Sequence, residues 1–337
     1  IFYPFIVLRN NSAVYGDENL INLKNIKWEN LEINHDQNIN WEIIKKNENN
    51  NFEGITKTKV NIPKSQYKKE IFLNSSNRSI VLNNLKSGPD ITFLVPLGFK
   101  SSSHNKFDFS IRGWNRRPPN SNLFAWNSGD AVAQIYYNIF NNINSSFGIN
   151  IGLRSIYTGD LAGGNSPIGE GSSLGFRWDH KLSNKSGFAL GAEQFIHFDN
   201  KTDTGRDIYV VYSKGKSFNK NNLYPVAIFT GGIGTGYLAL WEKTKFACSD
   251  LFGGSGVDVN SYNQLCWGPF GAFSIVLNEK FSTFVEYNNY SLMLGSSYNP
   301  FKKLRLTFGL TLAESFDDYK VKNFDELRWF SRFSIAL

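Results

Sequence analysis

No stretch of this sequence approaches the roughly 18 to 20 consecutive apolar residues that a membrane-spanning helix requires. If the chain crosses a bilayer, it therefore does so as a closed β-barrel, the other structure that satisfies its own backbone in lipid. Histidine is scarce, limited to His35, His104, His180 and His197. His197 shares a strand register with Glu193, yet no motif sets a nucleophilic serine beside any of the four, so an outer-membrane hydrolase using His197 stays a minor alternative and the sequence predicts no enzyme. Cysteine is limited to Cys248 and Cys266. No histidine lies near them, which leaves a zinc site short of ligands, and no metal or other cofactor is expected. A basic stripe is missing too. The formal charge of +7 and pI of about 9.1 come from Lys and Arg scattered among Asn and aromatic residues, which argues against a nucleic-acid partner.

Aromatic residues are abundant. They make up 15% of the chain, with 29 Phe, 15 Tyr and 8 Trp beside 29 Gly, a β-rich profile. In "KKLRLTFGLTLAES" the residues Leu304, Leu306, Phe308, Leu310 and Leu312 alternate with Arg305, Thr307, Gly309, Thr311 and Ala313. Strict alternation marks a strand with one apolar and one polar or small face. A second sheet could cover the leucines in a soluble sandwich, and lipid could cover them in a barrel.

The chain divides by composition. Residues 1–16, within "IFYPFIVLRNNSAVYGDE", read as the end of a secretory signal peptide, with cleavage near Ala13 to Gly16, or equally as a short buried strand. Residues 17–90 are rich in Lys, Asn and Glu and predict a polar, partly disordered periplasmic segment. Residues 91–337 predict the barrel. Its expected strands are 107–114, 130–140, 147–157, 173–182, 187–198, 206–214, 225–241, 265–278, 281–288, 290–298, 303–315 and 328–337. Residues 91–98, "ITFLVPLG", carry Pro96 and are assigned to a linker into the barrel. With the first strand running outward, the long connections collect on the outer side and mostly short ones on the periplasmic side, as in outer-membrane barrels. The connection 215–224 is long for an inner turn, and the tip at Asn288 and Asn289 is tight for an outer loop. The expected fold is thus an all-β, antiparallel transmembrane β-barrel of about 12 strands with a polar N-terminal periplasmic segment.

If the leucines face lipid, parity turns Arg112, Arg154, Arg177, Asp179, Glu193, Glu286, Arg305 and Arg332 into the lumen, with Ile111, Leu153, Phe176, Ala192, Val285 and Phe333 outward. Two uses fit such a lining. It could select solutes by charge in an open pore, or its charges could pair and fill a plugged barrel. Trp114, Tyr157, Tyr237, Trp241, Trp267, Trp329 and Phe330 lie near strand ends, as interfacial aromatic girdles do.

Three further motifs need a reading. Cys248 and Cys266 bracket the longest outer loop, and in an oxidising compartment they would form a disulfide stapling it. "GGIGTG" at 231–236 reads as a strand continuing through Tyr237, Ala239 and Trp241 rather than as a phosphate loop. Asp199, Asn200, Asp203 and Asp207 offer oxygen ligands, but their spacing does not follow a calcium-binding EF-hand loop, and a solvated turn is expected.

The final "WFSRFSIAL" ends on an alternating strand with Leu337 last, similar to the signal that outer-membrane barrels present to their assembly machinery. The stretches "NSGDAVAQIYYNIF", "IGEGSSLGFRWDHKLSNKSGFALGAEQ", "KTDTGRDIYVVYSKG" and "FVEYNNYSLMLGSSYNPFKKLRLTFGL" resemble an uncharacterised family of cyanobacterial outer-membrane proteins over residues 91–337. A more distant similarity, through the "EY…G.SY.P" hairpin, is to YjbH-like barrels linked with exopolysaccharide. These resemblances imply a barrel in the bacterial outer membrane and no established activity. The functional expectation is a porin-like solute channel with a charged lumen, and the alternative is a structural or polysaccharide-export accessory barrel with a plugged lumen. Expected partners are outer-membrane lipid, the assembly machinery and small polar or charged solutes.

Overall fold

The computed structural model describes residues 71–83, 87–115, 129–158, 169–199, 206–219, 224–239, 244–249, 265–289, 291–301, 303–314, 319–320 and 328–337. They belong to one compact unit, Lys68–Leu337. The signal-peptide reading and most of the polar segment fall outside the described residues.

A hairpin comes first, formed by β1 (Leu73–Ser76) and β2 (Ser79–Leu82). The wall follows as β3 (Phe107–Asn115), β4 (Gly129–Asn141), β5 (Ser145–Thr158), β6 (Ser172–Ser183), β7 (Ser186–His197), β8 (Asp207–Ser217) and β9 (Val226–Gly234). After the short β10 (Phe246–Ser249) it continues as β11 (Leu265–Val276), β12 (Phe281–Tyr287), β13 (Ser291–Phe301) and β14 (Leu304–Glu314). The two-residue β15 (Tyr319–Lys320) pairs with β14, and β16 (Arg328–Ala336) completes the wall. Twelve of the fourteen strands in this sheet form a ring, closed by β16 pairing with β3 and by β9 pairing with β11, all antiparallel.

Closure gives every wall strand two neighbours, so no edge is left to template aggregation or to face lipid unpaired. The expected strands agree with the wall to within a few residues, except that 225–241 stops at Gly234. There Gly236 takes a left-handed φ of 63° and opens a single 3-10 turn, Gly236–Ala239. Asp207 Oδ1 accepts the Tyr237 N–H at 2.8 Å, and Leu238 packs on Val95, Tyr209 and Phe270. The continued alternation expected through Tyr237 and Ala239 is therefore replaced by a side-chain-capped turn; Trp241 lies outside the described residues.

The tight outer tip is explained by asparagine chemistry. Asn289 adopts a φ of 68°, and Asn288 Oδ1 accepts the Ser291 N–H at 2.6 Å. Asn tolerates that conformation better than other side chains.

Parity is maintained along the strands except where bulges shift the register, as at Asn138–Phe140 of β4 and Thr311–Ala313 of β14. In β14, Arg305 and Thr307 are 1% and 2% exposed, while Leu306 and Phe308 are 42% and 53% exposed. Ile111, Phe176, Val285 and Phe333 are likewise exposed on the outer face. So large a continuous apolar exterior would be untenable in water, where contiguous patches rarely exceed about 300–600 Å². Lipid covers it, and the ring is a transmembrane β-barrel.

The hydrophobic core sits inside the ring. Ile91, Phe93, Val95, Leu97 and Phe99 are each 0% exposed. Phe93 packs with Phe284, Met293 and Phe330, while Ile91, Leu97 and Phe99 cluster with Val226, Ile228 and Val276. Burial of side chains this large contributes about 1.5–3 kcal/mol each. Two expectations change here. Residues 91–98 are not a linker outside the barrel but the filling of its lumen, and the boundary expected at residue 91 does not separate the hairpin at 73–82 from the barrel. The physical reason is that a narrow ring of inward polar side chains needs partners, and this segment supplies them.

Candidate functional site

Residues 71–83 and 87–105 lie in the lumen and meet all twelve wall strands through inward side chains. Each wall residue concerned was placed there by strand parity, since alternate side chains share a face. Asp90 is the centre of one layer. Its carboxylate accepts from Arg305 Nε at 3.0 Å on β14, from Thr307 Oγ1 at 2.7 Å and from Arg332 Nη1 at 3.5 Å on β16. Its backbone N–H donates to Ser297 Oγ of β13 at 3.0 Å, and its carbonyl accepts from Ser282 Oγ of β12. Arg305 also pairs with Asp108 of β3, which accepts from Ser76 Oγ at 2.9 Å.

A second layer lies around Ser101. Asp179 of β6 accepts from the Ser101 N–H at 3.0 Å and from Ser101 Oγ at 2.8 Å, and Tyr136 of β4 and Ser146 of β5 approach the same serine at 3.1 and 3.2 Å. Arg177 Nε donates to Asp179 at 3.0 Å while its Nη2 donates to the Phe99 carbonyl at 2.8 Å. Nearby Lys100 donates to Asn141 Oδ1 and to the Ser101 carbonyl. Burial pushes the Lys100 ammonium below its usual pKa, against the attraction of Asp179.

The remaining strands are engaged singly. Arg78 pairs with Glu193 of β7 at 2.5 Å, Gly98 N–H donates to Ser213 Oγ of β8 at 2.8 Å, and Ser274 Oγ of β11 donates to the Ile91 carbonyl at 2.5 Å. Leu73 and Ile91 pack on Val226 and Ile228 of β9. Glu286 of β12 accepts two backbone N–H groups, from Phe93 at 2.6 Å and Leu94 at 2.8 Å, and so clasps the turn at 92–95. Arg332 closes the other side of that turn, donating to the Thr92 carbonyl at 3.2 Å and to the Phe93 carbonyl.

Of the residues expected in the lumen, Arg112, Arg177, Asp179, Glu193, Glu286, Arg305 and Arg332 are buried inside the ring. The Arg154 side chain lies outside the described set. These groups do not converge on one centre. They are distributed around the circumference, each turned to the threaded segment or to its neighbours. Asp108 shared their register and was legible on the same argument. Arg78 and Asp90 were not, because no alternation runs through 71–90.

Three aromatics expected in the girdles instead face inward. Phe330 is 0% exposed and stacks at 4.2 Å between centroids on Phe93. Trp114 and Tyr237 line a cleft of about 750 Å³, its open side included, at the long-connection end of the lumen, with Arg78, Arg112 and Glu193. Parity explains two of them, since Phe330 shares its face with Arg332 and Trp114 with Arg112. Tyr157 and Trp241 lie outside the described side chains.

Cys248 and Cys266 are joined by a disulfide, S–S 2.08 Å, which ties β10 to β11. Asp199 Oδ2 accepts from the Gly171 and Ser172 N–H groups at 2.9 and 3.2 Å, and Asp207 Oδ2 accepts from Gln194 Nε2 at 2.8 Å. These carboxylates serve the backbone and a bulge; Asn200 and Asp203 lie outside the described residues. Among the described residues no group of three or more His, Cys, Asp or Glu is placed to hold a metal. His180 Nδ1 lies 2.7 Å from Ser145 Oγ in a strand pair.

The fold and its filled lumen define a class: a transmembrane β-barrel occupied by its own N-terminal segment. No known protein family and no curated protein matches the chain. The crystal structure of an outer membrane channel from Pseudomonas putida F1 is similar at 10% identity and a TM-score of 0.38, over 72% of this chain and 97% of that one. The fold stated above rests on the strand pairings rather than on that likeness.

Proposed function

We propose that this protein is a gated channel of the bacterial outer membrane, with a charged lumen and residues 71–83 and 87–105 as its removable plug. The observation carrying this reading is the kind of bond holding the segment. The wall's backbone ladder closes without it, and the plug's polar groups are met by side-chain ion pairs and hydrogen bonds, one layer of them centred on Asp90, beside the apolar packing of Ile91, Phe93, Val95, Leu97 and Phe99. Withdrawing the plug would exchange those contacts for water without opening a strand pair. The inward arginines and carboxylates would then line the path and favour small polar or charged solutes. The barrel would reach the membrane through assembly machinery reading β16, and no catalytic role is assigned. The resemblance to cyanobacterial outer-membrane barrels, and more distantly to YjbH-like ones, fits this reading.

One observation favours the second reading, a structural or polysaccharide-export barrel that stays closed. The Asp90 and Arg305 side chains are each 1% exposed, a depth at which separation is costly. Planar-bilayer conductance distinguishes the two. The channel reading expects rare, brief openings from the full chain and frequent steps from an Asp90→Asn, Gly98→Val double variant. Silence from that variant, folded by heat-modifiable mobility, would favour the closed accessory.

A further inference from the structure

We propose that the outer wall of β8, at the short-turn end of the barrel, is a binding site for the headgroup of an anionic phospholipid. The proposal rests on the membrane-spanning fold and is independent of gating. Along β8, Tyr209, Val211 and Ser213 are buried inward, and a Cβ on Gly215 would meet Leu73 of the plug. Parity therefore turns Val210, Tyr212, Lys214 and Lys216 outward. Val210 and Tyr212 are 40% and 43% exposed, and both lysines are exposed. One lipid-facing stripe thus passes from aliphatic to aromatic to cationic as it nears the turns.

The neighbouring strands complete the site. Lys185, also exposed, has its carbonyl bonded to the Gly215 N–H at 2.8 Å, which brings the β6–β7 turn alongside both lysines. Lys214 lies opposite Ser186 on β7 and opposite Phe229 on β9, and Phe229 packs on Phe273 with centroids 4.8 Å apart. Among the described residues of the short turns, Glu279 is the lone carboxylate, while Lys280 and Lys303 are also exposed there. No acid sits between the three lysines along β7, β8 or β9 at this end to neutralise them.

Lysine stems lie along apolar wall and carry their ammonium groups to headgroup level, where anionic lipid surfaces attract them. The cationic cluster continues a lipid-covered wall, so its occupant is a molecule with both a phosphate and acyl chains. A free anion would use the lysines but leave Tyr212 and Phe229 without a role.

The test uses the full chain folded in bilayers, with spin-labelled phosphatidylglycerol and phosphatidylcholine compared by the fraction immobilised at the protein surface. A several-fold preference for phosphatidylglycerol at low salt is expected, lost in Lys185→Gln, Lys214→Gln, Lys216→Gln and kept when the same three become Arg. Equal association of the two lipids with the unaltered chain would overturn the proposal. So would a preference unchanged in the Gln variant, whose fold heat-modifiable mobility checks independently. Loss of the preference with inorganic phosphate, beyond the loss with chloride at equal ionic strength, would overturn the lipid assignment in favour of a free anion.

Discussion

At the scale of single residues, the lumen shows why buried charges must be read in groups. Arg305 is held between Asp90 and Asp108, and Arg332 shares Asp90. Removing one carboxylate leaves a guanidinium buried without its counter-charge, which typically costs about 3–5 kcal/mol, more than an exposed pair would. Asp90→Asn should therefore lower the unfolding free energy of the folded barrel by an amount in that range, measured by urea titration of tryptophan fluorescence in vesicles. Arg305→Met combined with Asp90→Asn should cost less than the sum of the two, and additivity would show that they do not act as a unit.

Lys100 makes a prediction of opposite sign. Its pKa is depressed in the fold, so the unfolded chain binds the extra proton more readily. Its penalty is fully present below the depressed pKa and disappears as pH rises from there to the ordinary 10.5. Stability should rise across that interval, and Lys100→Gln should remove this contribution from the stability-versus-pH curve.

At the scale of elements, the plug and β10 depend on different constraints. Gly98 passes so close to the wall that an added Cβ would lie 2.5 Å from the Ser213 nitrogen and 2.8 Å from the Gly187 carbonyl oxygen. Backbone cannot yield as a flexible side chain can. Gly98→Val should push the plug off β7 and β8 and raise the frequency of conductance steps while the far-ultraviolet β signal stays unchanged; loss of both signals together would mean that plug and wall fold as one unit.

The β10 strand is secured by the disulfide, across a sequence separation of 18. Closing a loop of this size is worth about 3 kcal/mol in the chain-entropy account. Cys248→Ser should expose residues 244–249 to proteolysis before the wall strands, and simultaneous cleavage throughout would show that the bond supports the whole ring.

At the scale of the whole molecule, the barrel places two solvents where the sequence alternates. Lipid meets Leu306, Phe308 and Phe333 outside, and the protein's own N-terminal segment meets Arg305, Thr307 and Arg332 inside. That arrangement explains how a chain without a long apolar run spans a membrane. It also predicts that the ring survives without its plug's polar anchors, so the conducting variants should retain the heat-modifiable mobility of the parent.

What the sequence determined by itself follows from a period of two. Successive strand side chains oppose each other whatever lies beyond them, so strand positions, the outward and inward faces and most of the inward charged residues were readable locally. The same parity turns Phe330 inward with Arg332, so its inward place was also legible in the sequence. Only the tertiary structure decided what fills the lumen. Asp90 and Arg305 are separated by 215 positions, and Arg78 and Glu193 by 115. Residues 87–105 carry no continuous strand pattern because their polar groups are met by the hairpin at 73–82 and by inward side chains of the surrounding wall, partners far away in sequence that come together only in the closed barrel.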